Sequence, residues 1–290
     1  MVSIIICSRN KEIPEPLLSN IEATIGVPFE LVIVNNTQNK LTIFQAYNIG
    51  VSKSNFPYLC FMHDDILFHT FDWGKAVCRH FEDKTIGAIG IAGGKYLGYM
   101  PGTWWSSGFW EQNIIHTNKV EETTTLDTVV KTEGSRSDVT AVDGVWFCIP
   151  KELFRQIRFD EHTFKGFHYY DLDICMQIAT QGYKIYVVFD ILMEHFSKGS
   201  LNKSWLQNAL IFQQKWRAKL PVSLLPLRTE EAYNLELKMM YQFLDRLKEI
   251  KTGKEINKIA FKLLLGYRGA FRFLHTPVLL AQFLRKSISS

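Results

Sequence analysis

Three polar residues stand together at the end of an apolar run: His63, Asp64 and Asp65 follow Tyr58–Met62 within FPYLCFMHDDILF. A short apolar run after Pro57 reads as a buried strand, and in open α/β sheets ligands gather outside the carboxyl ends of the strands. Two adjacent carboxylates and an imidazole placed there can hold a hard divalent cation, which in turn holds phosphate oxygens. A solvated turn is the simpler reading of the same residues, because Asp-Asp pairs are common in loops. A second acidic pair, Asp171 and Asp173, opens YYDLDICMQIATQG, where Leu172, Cys175, Met176 and Ala179 recur at helical spacing before Gly182. Carboxylates in a first helical turn also favour the helix dipole, so these acids have a purely structural reading as well. His195 follows the strand-like Tyr183–Val188 and reads either as a ligand or as a satisfied strand-end histidine. Aromatics crowd between Tyr96 and Trp110, among them Trp104 and Trp105; such faces can stack on sugar rings and more often anchor a core.

The elements that must position these groups alternate. Val2–Cys7, Phe29–Val34 and Phe56–Met62 are apolar strands, separated by helical stretches at about 16–25 and 41–53. Each strand ends in polar residues: Ser8, Arg9 and Asn10; Asn35, Asn36 and Thr37; then His63, Asp64 and Asp65. A β-α-β-α-β opening predicts an α/β fold with a mostly parallel sheet covered by helices on both faces. No GxGxxG and no GxxxxGK[ST] follows the first strand, which argues against a dinucleotide fold and a P-loop. Further on, Gly87–Ala92 and Val139–Ile149 read as strands, the Thr-rich 121–138 as a surface hairpin or loop, and Lys151–Gln156 as a helix opened by Pro150.

The length of 290 residues allows one large domain or a domain with an appendage. Beyond residue 200 the pattern becomes helical, with one helix from Thr229 to about Ile250 and another over Glu255–Leu265. Residues 246–286 carry ten Lys and Arg against two acids. Such a tail either lies on an anionic membrane face or packs on the domain or a second subunit, and core-facing amphipathic helices are the commoner case. The basic excess is modest and lacks an interleaved aromatic motif, so no nucleic-acid partner is expected. Five dispersed cysteines without CxxC argue for reduced, buried thiols in a cytoplasmic setting. The first strand begins at once, so no signal peptide is read, and no apolar run of about 18 residues marks a membrane span.

Taken together, VSIIICSRN, FELVIVNNT, AYNIG, the HDD strand end, YYDLDIC and the late His195 resemble the GT-A glycosyltransferases of family 2. The likeness is to a bacterial glycosyltransferase-like branch whose strand end reads His-x-Asp in place of Asp-x-Asp. It covers residues 1–200, leaving 201–290 as a helical C-terminal extension without a family signature. The resemblance implies a nucleotide-diphosphate sugar donor bound by Ser8, Arg9, Asn10, Asn35, Asn36, Asn48 and Asp64. Asn48 and Gly50 match the family's Asn-x-Gly, while Asn35 and Asn36 stand where an acidic pair usually reads base and ribose. It implies a metal, Mn²⁺ or Mg²⁺, on Asp65, His195 and His63.

Asp171 matches the aspartate of the family's Glu-Asp pair, with Tyr170 in the glutamate position. The implied role is the base that takes the acceptor hydroxyl's proton in an inverting transfer. Asp173 is the backup base; two residues on, it lies about 200° round a helix, so both cannot face one acceptor. Asp143 and Gly144, with Trp104 and Trp105, are the implied acceptor or sugar pocket. The acceptor expected is a glycan or lipid-linked glycoconjugate in surface-polysaccharide assembly, at the cytoplasmic side of the membrane. The competing readings are a sugar-nucleotide-binding protein that has lost catalysis and a nucleotidyltransferase.

Overall fold

The computed structural model describes residues 1–118, 123–129, 134–197, 199–250 and 258. The chain opens with β1 (Val2–Ser8), α1 (Glu15–Thr24), β2 (Phe29–Asn35), α2 (Ile43–Lys53) and β3 (Tyr58–Met62). There follow β4 (Ile66–Phe68), α3 (Trp73–His80), β5 (Ile86–Gly90), β6 (Ala92–Gly94) and β7 (Tyr96–Leu97). Next come β8 (Trp110–Asn118), β9 (Thr123–Val129), β10 (Arg136–Asp138), β11 (Ala141–Val142) and β12 (Trp146–Pro150). A 3-10 turn (Lys151–Arg155), α4 (Tyr170–Thr180), β13 (Lys184–Val188) and β14 (Met193–His195) lead to α5 (Lys203–Trp216), β15 (Val222–Ser223) and α6 (Thr229–Glu249).

The principal sheet runs β10-β13-β5-β12-β3-β1-β2. β1 lies parallel to both β2 and β3, and β13 parallel to β5, as the alternating opening predicts. β12 is the exception in the middle: it runs antiparallel to β3 and β5, with Trp146 opposite Met62. A second sheet runs β11-β6-β8-β14-β4 with β9 on β8, and β7 pairs with β15. Two expected strands are each divided. Gly87–Ala92 breaks between β5 and β6, and Val139–Ile149 breaks at Asp143–Gly144 into β11 and β12. Both breaks mark where the chain passes from the principal sheet to the second sheet or back.

Pleat alternation separates two cores. Ile5, Phe61, Phe147 and Ile149 face one side, with α2, α4, α5 and α6. Ile4, Ile6, Cys60, Met62, Trp146 and Cys148 face the other, with α1 and α3. Burial on both faces explains why these strands read as continuous apolar runs rather than alternating ones. Helix α2 sits so close to β1 that a Cβ at Gly50 would lie 2.3 Å from Ile5 Cγ2.

Two expectations change here. Cys60 and Cys148 are directly opposed in the antiparallel β3–β12 pair and form a disulfide, so three free thiols remain, not five. Their separation of 88 residues hides that pairing from a reading of spacing. Beyond residue 200, Trp205, Leu206, Phe212, Leu235, Phe243 and Leu244 pack in the same cluster as Phe147 and Tyr170. The helix expected at Lys151 is a single 3-10 turn. The tail expected to touch a membrane or a second subunit lies outside the described residues. Among those described, no helix is long and apolar enough to cross a membrane.

Candidate active site

Three strand ends and one helix start meet at the carboxyl edge of β3. His63 continues β3 and donates its backbone N–H to the Val145 carbonyl, which sets it beside the Asp143–Gly144 turn (3.0 Å). β14 runs antiparallel to β4 with His195 opposite Ile66, and the Phe196 N–H donates to the Asp65 carbonyl (3.1 Å). These pairings bring His63, Asp65 and His195 together, with one donor atom of each within 4.8 Å of the others. Asp65 Oδ1 is 3.4 Å from His195 Nε2 and 3.8 Å from His63 Nδ1. Donors held about 2.0–2.2 Å from a common ion lie roughly 3–4 Å apart, so the set fits one divalent cation.

Orientation of the imidazole supports the same fit. His63 Nε2 is 3.2 Å from the Tyr170 hydroxyl, which donates its own proton to the Gly144 carbonyl (3.0 Å). The hydroxyl therefore accepts from Nε2–H, which leaves Nδ1 as the unprotonated nitrogen facing Asp65. Two acceptors facing one another are what a cation bridges, and fixing the far ring nitrogen is the usual support for a metal-binding histidine. Burial, then the neighbouring His195, pulls the His63 pKa down. For Asp65, burial pushes upward, but hydrogen bonds from His195 and Ser197 outweigh it and hold the carboxyl well below the usual range.

Asp171 occupies the first turn of α4, whose N-cap, Tyr169, is left-handed (φ 71°). Its Oδ2 accepts the Gly144 N–H (3.0 Å) and its Oδ1 the Leu172 N–H (2.9 Å). Burial, and after it the charge of Asp143, raises its pKa to about 7. Gly144 thus joins both halves of the site, accepting from Tyr170 and donating to Asp171. Only a glycine permits this, because a Cβ there would stand 2.1 Å from the Tyr170 hydroxyl. Asp143 is fixed by the Trp104 indole N–H (2.6 Å) and the Val145 N–H (2.7 Å).

The other predicted residues divide into two groups. Ser8 donates to Asp64 Oδ2 (2.6 Å), tying the end of β1 to that of β3. Arg9, Asn10 and Asn35 are exposed beside it, with Asn35 accepting from the Thr37 N–H. Asn36 and Asn48, by contrast, are scaffold amides. Asn36 exchanges two bonds with Leu41 and donates a third to Cys7 Sγ. Asn48 clamps the backbone of Phe159 and the Glu161 carboxylate. Trp104 is buried, so it offers no stacking face, whereas Trp105 is exposed.

Asp173, the expected backup base, is bound into the scaffold. At 1% exposure, its Oδ1 accepts from Trp216 Nε1 and Lys215 Nζ, and its Oδ2 from Gln177 Nε2 and Lys215 Nζ. Those bonds join α4 to α5 and leave no oxygen for an acceptor.

Two site residues were not singled out from the sequence. Ser197 lies 3.2 Å from His195 Nε2, and its position two residues after the histidine was the only signal. Phe167 packs against His63 and Tyr170. It sits three residues before the YDLD segment and carried no polar signal.

At the strand ends of this mixed α/β fold, a His-Asp-His group that could hold a metal ion thus stands beside a buried carboxylate. Residues 3–217 match the model of the Glycosyltransferase like family, and the chain belongs to that family. A streptomycin biosynthesis protein, StrF of Streptomyces griseus, is 24% identical over 186 residues, which are 62% of each chain. The chain thus spans less than two thirds of that relative's length. Among solved structures, the mannosyltransferase PcManGT of Pyrobaculum calidifontis, in complex with GDP-Man and Mn²⁺, is 14% identical at a TM-score of 0.48, over 99% of this chain and 86% of that one. GalNAc-T7 with UDP, GalNAc and Mn²⁺ is 12% identical at 0.48, over 90% and 54%.

Proposed function

We propose that the chain is a divalent-metal-dependent, inverting glycosyltransferase that moves a sugar from a nucleotide-diphosphate donor to a hydroxyl of a glycan or glycoconjugate. The observation that carries this reading is the joining of two chemistries through Gly144. The His63–Asp65–His195 set lies on one side of it, and Asp171, with its pKa near 7, on the other. A metal on that set supplies Lewis-acid neutralisation of charge on the departing diphosphate, and the two imidazoles favour Mn²⁺ over Mg²⁺. Ser8 and Asp64, with exposed Arg9, Asn10 and Asn35, form the donor side.

Asp171 takes the proton of the acceptor hydroxyl as that oxygen bonds to the anomeric carbon. The carbon–phosphate oxygen bond breaks from the opposite face, and its electron pair leaves with the diphosphate. A base with a pKa near the working pH combines an adequate ionised fraction with useful proton affinity. Assignment to surface-polysaccharide or related glycoconjugate assembly at the cytoplasmic side is part of the same proposal and rests on the family resemblance.

The test is thermal unfolding with UDP-, GDP-, dTDP- and CMP-linked sugars, each with and without Mn²⁺. Binding to the folded state alone, at about 100 times Kd, adds roughly 2.7 kcal/mol. A shift for one nucleotide that requires Mn²⁺ and disappears in Asp65→Ala supports the reading. No shift with any donor, or one indifferent to metal, overturns it.

A further inference from the structure

Phe167 is a large apolar side chain held in solvent beside the candidate site. It is 44% exposed, yet its ring centroid lies 5.6 Å from that of His63 and 5.8 Å from that of Tyr170. The segment carrying it is anchored on both sides. Phe164 is buried and stacks on Phe44, and the Gly166 carbonyl accepts from the Ile43 N–H (3.0 Å). Asn208, buried on α5, donates to the carbonyls of Lys165 (2.6 Å) and His168 (2.8 Å), which bracket Phe167. Tyr169 then donates its hydroxyl proton to the Gly102 carbonyl (2.7 Å). Gly166 and Tyr169 both hold left-handed backbone (φ 75° and 71°). An exposed aromatic ring forgoes the stabilisation that burial would give it. A backbone fixed on both sides of such a ring therefore presents it for a partner.

Sheet order says which partner. In β12-β3-β1-β2, the donor-side Ser8 and Asn35 lie to one side of β3, and Asp143 and Gly144 lie to the other. Phe167 touches Tyr170, on the Asp171 side of that divide. An aromatic face suits the apolar C–H face of a sugar ring, and Asp171, the residue after Tyr170 on α4, adds with Asp143 a pair of carboxylates on that side of β3 that accept from hydroxyls and disfavour an anionic partner.

We propose that Phe167 is the acceptor platform, stacking on an uncharged pyranose and holding it between the His63–Asp65–His195 set and Asp171. This rests on the glycosyl-transfer reading above and narrows its acceptor to a carbohydrate ring.

The test uses the full chain, Mn²⁺ and the nucleotide diphosphate that stabilises it. A panel of methyl pyranosides is followed by saturation-transfer NMR, and Kd by titration. The wild type should contact at least one pyranoside through its C–H protons. Phe167→Ala should weaken that contact about tenfold, and Phe167→Tyr should restore it to within about threefold. The nucleotide-induced thermal shift should stay the same in both variants. An intact shift with no pyranoside contact in the wild type, or with equal contact in Phe167→Ala, overturns the platform alone. A nucleotide shift lost in Phe167→Ala places the ring on the donor and overturns it too. Absence of any nucleotide shift in the wild type instead sinks the transferase reading beneath it.

Discussion

On one side of β3 the polar residues follow parallel strands, and several are consumed by their own loops. On the other side they are delivered by an antiparallel strand and a helix start, and they keep carboxylate capacity to spare. Asn36 closes a loop on Leu41 and Asn48 clamps Phe159, so the donor side is mostly scaffold with Ser8, Asp64 and a few exposed side chains at its edge. Asp171 keeps partial solvent contact although burial lifts its pKa to about 7. On the proposed reading the contrast follows the work of each side: gripping a charged, flexible donor calls for a firm frame, while moving a proton calls for a carboxylate whose pKa lies near the working pH.

The largest test of that contrast is Asp171→Asn. We expect transfer to fall by about 10²–10⁴-fold with the donor-induced thermal shift retained, read by initial rates alongside melting curves. A fall under tenfold would move the base elsewhere. Asp65→Ala should strike the other side: the Mn²⁺-dependent part of donor binding should drop by about 100-fold or more, since even outer-shell partners of metal sites cost 10–100-fold. Calorimetric titration of Mn²⁺ and donor measures this, and undiminished affinity would dissolve the metal assignment.

How much of this was legible in the sequence follows the same divide. The parallel opening, the HDD strand end and the Asp171 helix start are local, and strand runs, helical spacing and the family likeness expose them. What stayed hidden is non-local. Asp173 looks like a helix-start acid equal to Asp171 until Lys215 and Trp216, some 42 residues on, are seen to occupy it. The Cys60–Cys148 pairing needed the antiparallel register of β12, which no spacing rule supplies. Phe167 carries no polar signal, and its place beside His63 and Tyr170 depends on contacts between distant parts of the chain, with Asn208 holding the backbone on either side of it.

A third prediction concerns the support behind the acceptor side. Glu236 on α6 is buried and accepts from the Tyr96 hydroxyl and from the N–H groups of Tyr99 and Met100. Glu236→Ala should lower stability by roughly 1–3 kcal/mol, measured by urea unfolding. A loss under 0.5 kcal/mol would mean that the loop stands without it.

The smallest effect is one of pH. The folded chain keeps a proton on Asp171 that the unfolded chain loses between about pH 4 and 7. Stability from this group is therefore full below about pH 4 and declines as pH rises through 7. In Asp171→Asn that decline disappears, so the Tm difference between variant and wild type should move in the variant's favour by ~2–4 °C from pH 5 to pH 8. A difference constant across that range would place the folded pKa back among ordinary carboxylates.

The carboxylate of Glu236 also bears on where this protein can be cut. The family match stops at residue 217, yet the loop at Tyr96–Met100 is hydrogen-bonded to a residue nineteen positions beyond it, and β15 pairs with β7 in the same region. The matched segment and the packed core therefore have different ends. A fragment trimmed to the family limit would carry every candidate catalytic residue and still lack the carboxylate that holds Tyr96–Met100, so such a truncation reports on folding rather than on the importance of the helix it removes.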